Sequence, residues 1–244
     1  MNIALIGYGR MGKEVEAVAS ERAVSIGAVF TRANNRSGSG LTAQALKGVD
    51  VCIDFSAPEA VVDSVRAVAA AGIDLVVGTT GWDGQMETVR SIVSEGKIGF
   101  ICASNFSPGV NLMMKLVREA GRLFDRHDEY DVAIHETHHS GKADSPSGTA
   151  LTLASELLGA MKRKREMQVG NPKGIIPTQN LHVSSTRVGS VAGIHKVQFD
   201  SPFDSVELIH TARSRRGFAS GALHAAEWIQ GKKGFYTIND LLDQ

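Results

Sequence analysis

The chain has 244 residues, 43% hydrophobic and 21% charged, enough apolar material for one large or two small packed domains. Its 26 Lys and Arg balance 26 Asp and Glu, which argues against a surface built for nucleic acid or membrane. The two cysteines, Cys52 and Cys102, lie in apolar runs and read as buried free thiols, and with no apolar run of spanning length and no signal peptide a cytoplasmic protein is expected.

Ile3 to Ile6 reads as a short strand, followed by Gly7-Tyr8-Gly9-Arg10-Met11-Gly12 and a helix from Lys13 to about Ser20. This is Gly-x-Gly-x-x-Gly in its required setting, after a strand and opening a helix. Gly7 permits the tight turn, Gly9 lets the backbone approach a pyrophosphate, and Gly12 lets helix and strand pack closely. The next strand, Ser25 to Phe30, ends on Thr31-Arg32 with Arg36 close by. A carboxylate there would bind both ribose hydroxyls and favour NAD; an Arg in its absence favours a 2′-phosphate, hence NADPH. The simpler role for Arg32 is to stack on an adenine or face solvent.

Strands are expected at Val51 to Phe55, Ile73 to Val77 and Ile98 to Cys102, with helices at Ala60 to Ala71 and Met86 to Ser94. Such alternation implies a parallel sheet with right-handed crossovers. Ligands of such sheets sit beyond the carboxyl ends of the strands. Gly7 to Gly12, Gly78 to Gly81 and Ala103 to Phe106 all fall there.

After Asn105 the pattern changes. Val110 to Phe124 reads as a helix and Tyr130 to Glu136 as a strand. Leu181 to Val188, Ile194 to Asp200 and Ser205 to Ala212 read as strands joined by short polar turns, so an antiparallel sheet in an α+β domain is expected. Phe218 to Gln230 reads as a final helix. Between these elements stands Glu136-Thr137-His138-His139-Ser140-Gly141-Lys142-Ala143-Asp144-Ser145-Pro146-Ser147-Gly148-Thr149-Ala150. His138 and His139 carry protons near neutral pH, and Lys142 is a compact cation. Ser145 to Thr149 read as a turn opening a helix, with Pro146 suited to its first turn and Ser147 or Thr149 to capping. An amide-rich helix start is a ready anion site, so the stretch suits an anionic small molecule that receives protons. The run Lys162-Arg163-Lys164-Arg165 reads as solvent-facing charge at that helix's C-terminus.

With these residues in view the chain resembles the 4-hydroxy-tetrahydrodipicolinate (dihydrodipicolinate) reductases of bacterial diaminopimelate and lysine biosynthesis. The resemblance covers essentially the whole chain. It rests on Gly7-x-Gly9-x-Met11-Gly12, Gly78-Thr79-Thr80-Gly81, Ala103-Ser104-Asn105-Phe106-Ser107-x-Gly109-Val110-Asn111 and Glu136-x-His138-His139-x-x-Lys142-x-Asp144-x-Pro146-Ser147-Gly148-Thr149-Ala150. It implies an α/β protein with a Rossmann-like dinucleotide-binding domain at 1–106 and 216–244. The rest, 107–215, would be an α+β substrate-binding and tetramerisation domain on a mostly antiparallel sheet. Hinges would fall near Asn105 to Pro108 and Arg215 to Phe218. NADPH, or NADH, would bind at Gly7, Tyr8, Gly9, Arg10, Met11, Gly12, Arg32, Gly78, Thr79, Thr80, Ala103, Ser104, Asn105 and Phe106. The dicarboxylate substrate would bind at His139, Lys142, Ser147, Gly148 and Thr149, with His138 and Lys142 catalytic and no metal. Two departures are Thr31, where some members carry an acid, and Ser145, where alanine is more usual.

Three other readings fit less. Nothing between Asn105 and Arg215 supports an aspartate or homoserine dehydrogenase. A dinucleotide-sensing regulator would need a DNA-binding helix pair, which the sequence does not suggest. A metal site at His135, His138 and His139 fits no zinc spacing.

Overall fold

The computed structural model describes residues 1–243, which form two compact units. The chain passes from the first to the second after Pro108 and returns at Arg215.

The first unit contains β1 (Asn2–Ile6), α1 (Arg10–Glu21), β2 (Ser25–Phe30), β3 (Val51–Asp54), α2 (Val61–Ala70), β4 (Asp74–Val77), α3 (Met86–Gly96) and β5 (Gly99–Cys102). It is completed by α6 (Arg216–Ile229), β11 (Gly234–Thr237) and α7 (Ile238–Leu242), after the second unit has been traversed. All six strands run parallel in the order β11-β5-β4-β3-β1-β2. Strands such as Val51-Cys52-Ile53-Asp54 are buried along their whole length, because helices cover both faces. On one face α1 and α6 bring Val15, Val18, Ala222, Leu223 and Ile229 against Ile3, Leu5 and Ile53. On the other, α2 and α3 bring Val61, Val65, Val68, Val89 and Val93 against Ala4, Ile6 and Leu75. Burying each such Val, Ile or Leu contributes about 1.5–3 kcal/mol. Asp74 accepts from the amides of Gly99 at 2.7 Å and Gly231 at 2.9 Å, which fastens β4 to the start of β5 and the turn after α6. Strand order reverses between β1 and β3, so the crevice at their carboxyl ends is the place where such sheets bind ligands.

The second unit contains α4 (Pro108–Phe124), β6 (Asp131–His138), α5 (Gly148–Ala160), β7 (Glu166–Val169), β8 (Asn180–Arg187), β9 (Ile194–Asp200) and β10 (Ser205–Thr211). Its sheet, in the order β10-β9-β6-β8-β7, is mixed and corrects the antiparallel expectation. β10, β9 and β6 pair antiparallel, whereas β6, β8 and β7 pair parallel. The short link from β8 to β9 suggests a hairpin, but β6 lies between those two strands. The crossover helix α5 returns the chain parallel to β6, as such helices do. One face of β6 is buried through Val132, Ile134, Glu136 and His138, and α4 and α5 cover the sheet with Met113, Val117, Leu153 and Leu157. The bidentate pair of Arg118 with Glu156, at 2.6 and 2.9 Å, joins the two helices.

The basic run is also corrected. It lies beyond the end of α5, and Lys164 is buried, pairing with Asp131 at 2.6 Å and donating to the carbonyls of Thr178 and Asn180. Pro146 precedes α5 rather than standing in its first turn. Among the described residues no helix is long and apolar enough to cross a membrane.

Candidate active site

In the first unit, a cavity of about 570 Å³ opens at the ends of β1, β2 and β3, lined by Gly7, Tyr8, Gly9, Arg32, Arg36 and Ser56 among others. The three glycines of the loop differ in why they are glycine. A Cβ on Gly7 would stand 2.3 Å from the Phe55 carbonyl oxygen, and one on Gly12 would stand 2.3 Å from that of Gly7. Both are required by the fold itself. A Cβ on Gly9 would meet nothing within 4 Å, so the space it leaves belongs to no part of the protein. Gly9 is also the N-cap of α1, which has neither a side-chain cap nor an acidic residue in its first turn. Open space before uncapped helix amides fits a pyrophosphate. Arg10, Met11 and Gly12 form that first turn, and the Tyr8 hydroxyl is turned to Glu16.

Thr31 ends β2 in a local turn, its amide donating to Asn34 Oδ1 at 2.6 Å. The place where an acid would meet a ribose is thus a neutral turn residue beside two arginines. Gly78, Thr79 and Thr80 follow β4, and Ala103 and Ser104 follow β5, on the same edge of the sheet but outside that cavity's lining. Thr79 has a structural task as well. Its hydroxyl donates to Asp54 Oδ1 at 2.8 Å and accepts from the Ser56 amide at 2.9 Å. Asn105 Oδ1 accepts from the Ser107 amide, and the Phe106 ring is buried in the core, so at Phe106 only the backbone is available to a ligand.

The second unit gathers its polar residues at the end of β6. Glu136 and His138, two apart, share the buried face of that strand. Register places Ser185 of β8 and His195 of β9 directly across from Glu136, and Arg187 across from His138. Glu136 is fully buried and accepts from the Ser147 amide at 2.9 Å, Ser185 Oγ at 3.0 Å and Arg187 at 2.8 Å, as well as from the Ser147 hydroxyl. Burial alone would raise its carboxyl, but hydrogen bonds from His195, Ser147 and Arg187 overcome that and hold it well below the usual carboxylate range. Its Oε2 lies 3.4 Å from His138 Nδ1 and 3.5 Å from His195 Nε2. Burial pushes the His138 imidazole down to about 4; Glu136 opposes this, and the charges of His195, Lys142 and Arg187 add to it. Ser147 is the N-cap of α5, accepting from the Ala150 amide at 3.2 Å, so Gly148 and Thr149 form the first turn. Lys142, on the loop between β6 and α5, pairs with Asp144 at 2.7 Å. His139 is half-buried beside it.

All five expected substrate ligands and both expected catalytic residues therefore fall on one strand end, one loop and one helix start. Glu136, Arg187 and His195 were not singled out by sequence reasoning. Glu136 stands in the quoted motif, and its period-two relation to His138 was the available signal; Arg187 and His195 come in by register alone. Glu136, His138 and His195 lie with their ligand atoms within 4.8 Å of one another, a spacing that would suit a metal. However, Arg187 and the Ser147 hydroxyl already occupy that carboxylate, and a guanidinium beside it disfavours a second cation. His135, on the opposite face of β6, bonds Ser184 at 2.9 Å and does not join the group.

The burial of these groups makes the second unit acid-sensitive. His135, His138 and His210 are each held below the ordinary imidazole value, chiefly by burial. As pH falls from about 6.5 the unfolded chain takes up protons there before the folded one does, so folding weakens. For His138 that window extends down to about pH 4. Glu136 adds stability that is present above about pH 4.3 and is lost as pH falls through its lower folded value. The expected result is a Tm that drops steadily from pH 7 to pH 5, with a shallower slope in His138→Gln. An unchanged Tm over that range, measured by calorimetry, would contradict it.

A parallel sheet with a Gly-x-Gly-x-x-Gly crevice, joined in one chain to a mixed-sheet unit carrying a histidine and lysine cluster, defines a pyridine-nucleotide-dependent oxidoreductase of two units. More narrowly, the chain belongs to the dihydrodipicolinate reductase family. Residues 1–106 match the family's N-terminal region and residues 109–242 its C-terminal region. The chain is 37% identical over 242 residues to the 4-hydroxy-tetrahydrodipicolinate reductase of Christiangramia forsetii, covering 99% of this chain and 98% of that one. It is 41% identical over 200 residues to that of Methanoregula boonei, covering 81% and 76%. Among solved structures, the dipicolinate-bound dihydrodipicolinate reductase of Paenisporosarcina sp. TG-14 shares the fold, with a TM-score of 0.79 at 24% identity over 99% of both chains.

Proposed function

We propose that this protein reduces 4-hydroxy-tetrahydrodipicolinate to tetrahydrodipicolinate in diaminopimelate and lysine biosynthesis, with NADPH preferred to NADH. The observation that carries the reading is the cluster of His138, His139, Lys142 and the α5 start, a proton donor and anion-holding groups on one strand end. Bound NAD(P)H supplies a hydride. The first unit holds that cofactor with the amides of the Gly7 to Gly12 loop, with Arg32 on the 2′-phosphate, and with Gly78 to Thr80 and Ala103 to Phe106.

The substrate is a cyclic dicarboxylate whose imine is conjugated to a carbon–carbon double bond once water has left. Lys142 exchanges Asp144 for a substrate carboxylate; an exposed pair of this kind is worth only about 0–1 kcal/mol, so the exchange costs little. His139 and the first turn of α5 at Gly148 and Thr149 hold carboxylate oxygens. Ser147 supports them by fixing the helix start on Glu136. After reduction at ring C4, electrons move toward the carbon beside the imine, and His138 with Lys142 delivers the proton taken up there. The ammonium of Lys142 also offsets negative charge that develops on the ring.

The open face of the second unit's sheet, where Ala133, His135 and Thr137 of β6 are only partly covered, is proposed as the surface of a homotetramer. Sedimentation at the mass of one chain would overturn that part. Two free thiols accord with a reducing, cytoplasmic location. The activity is tested by NADPH oxidation with freshly made product of dihydrodipicolinate synthase. Oxidation dependent on that product supports the reading; none, with nucleotide binding intact, sinks it.

A further inference from the structure

Glu136 itself touches no ligand in the contacts just assigned, yet it is buried completely at the centre of the cluster. Burying a carboxylate costs several kcal/mol unless it is paired, and an apolar residue would fill the same place without that cost. What distinguishes Glu136 is the set of groups it joins. Its Oε1 takes the Ser147 amide, Ser185 and Arg187, from α5 and β8. Its Oε2 faces Ser147 Oγ and lies near His138 Nδ1 and His195 Nε2. The second nitrogen of His138, Nε2, is on the side of Gly193, where a Cβ would stand 2.9 Å from it. Glu136 Oε2 and His138 Nδ1 make no hydrogen bond at their 3.4 Å separation, but the carboxylate's charge beside Nδ1 favours the tautomer that carries its hydrogen there and leaves Nε2 to exchange the proton.

We propose that Glu136 is a positioning residue: one carboxylate, clamped by Arg187 and Ser185, sets the tautomer and orientation of His138 and, through Ser147, the start of α5. The inference rests on the reading of His138 as proton donor, and it places the proton transfer on Nε2. Glu136 itself touches no substrate. Its effect on turnover passes through His138, and its effect on substrate affinity passes through Ser147.

The test uses the full-length enzyme with saturating NADPH. Glu136→Gln is expected to lower kcat at least about tenfold, yet by less than the roughly 10²–10⁴-fold lost with the acid itself. In a His138→Gln background the same change should cost kcat almost nothing further, because the two act as one unit. Nitrogen NMR of the imidazoles should show His138 leaving the Nδ1–H tautomer in Glu136→Gln. Since that variant strands the Arg187 charge, the paired variant Glu136→Gln with Arg187→Gln restores neutrality and carries the test if the single variant does not fold. A fully additive loss of kcat in the double mutant would overturn the proposal, as would normal kcat in the neutral pair or an unchanged His138 tautomer. Near-normal turnover of His138→Gln alone would instead remove the proton-donor reading, and the tautomer measurement would then decide the positioning role by itself.

Discussion

His138→Gln is expected to lower turnover by about 10²–10⁴-fold, as loss of a general acid does, with little change in Michaelis constant. The environment of His138 adds a sharper expectation. In the free protein its imidazole is pushed down to about 4, chiefly by burial. At pH 7 roughly one molecule in a thousand then carries the proton. A dicarboxylate entering beside His138 favours the protonated form, so the acid is charged in the complex rather than before it. The pH dependence of kcat/KM reports the free enzyme and that of kcat the complex. The kcat profile should therefore hold its plateau to distinctly higher pH than the kcat/KM profile. Both features should vanish in His138→Gln. Lys142→Ala should damage turnover and affinity together, since Lys142 holds a carboxylate and faces the developing charge. Near-normal turnover of His138→Gln across pH, with Lys142→Ala losing affinity alone, would assign the acid elsewhere.

Arg32→Ala is expected to weaken NADPH binding by about ten-fold to over a hundred-fold, from the 1.5–3 kcal/mol typical of a hydrogen bond to a charged group. NADH should bind almost unchanged. Two features of the structure support this asymmetry. Arg32 and Arg36 line one cavity, and Thr31, where an acid would bind the ribose hydroxyls, is committed to a turn with Asn34. Glu59 and Asp63 line the same cavity, so an arginine is also needed there to keep it hospitable to an anion. Equal losses for both nucleotides in a titration would show that Arg32 does not read the phosphate.

The first unit was legible because its signals are local. The strands are short apolar runs, and Gly7 to Gly12 follow the first of them directly. The last strand, Gly234–Thr237, escaped because it follows α6 after a short turn and joins the sheet beside β5, a partner distant in sequence. In the second unit the strands β8 to β10 were legible but their order was not. Alternation along β6 tells which residues share a face, and says nothing about which strand lies next to it. For the same reason Arg187 and His195 stayed hidden, since only pairing across β6 brings them to Glu136. Lys164 was misread because a run of like charges looks solvated, while the carbonyls and Asp131 that bury it come from elsewhere in the chain.

The parallel sheet is assembled from two stretches of chain, with all of 109–214 between them. On a ribosome, β1 to β5 therefore emerge with one face lacking α6, whose Ala219, Ala222, Leu223, Ala225, Ala226 and Ile229 are all fully covered in the finished fold. The inserted segment is contiguous and has its own core, so it is free to fold first. During that interval Ile53, Val76 and Ile101, on the strands that α6 covers, stay exposed, and the nascent chain is a natural client for a chaperone until α6 has cleared the exit tunnel.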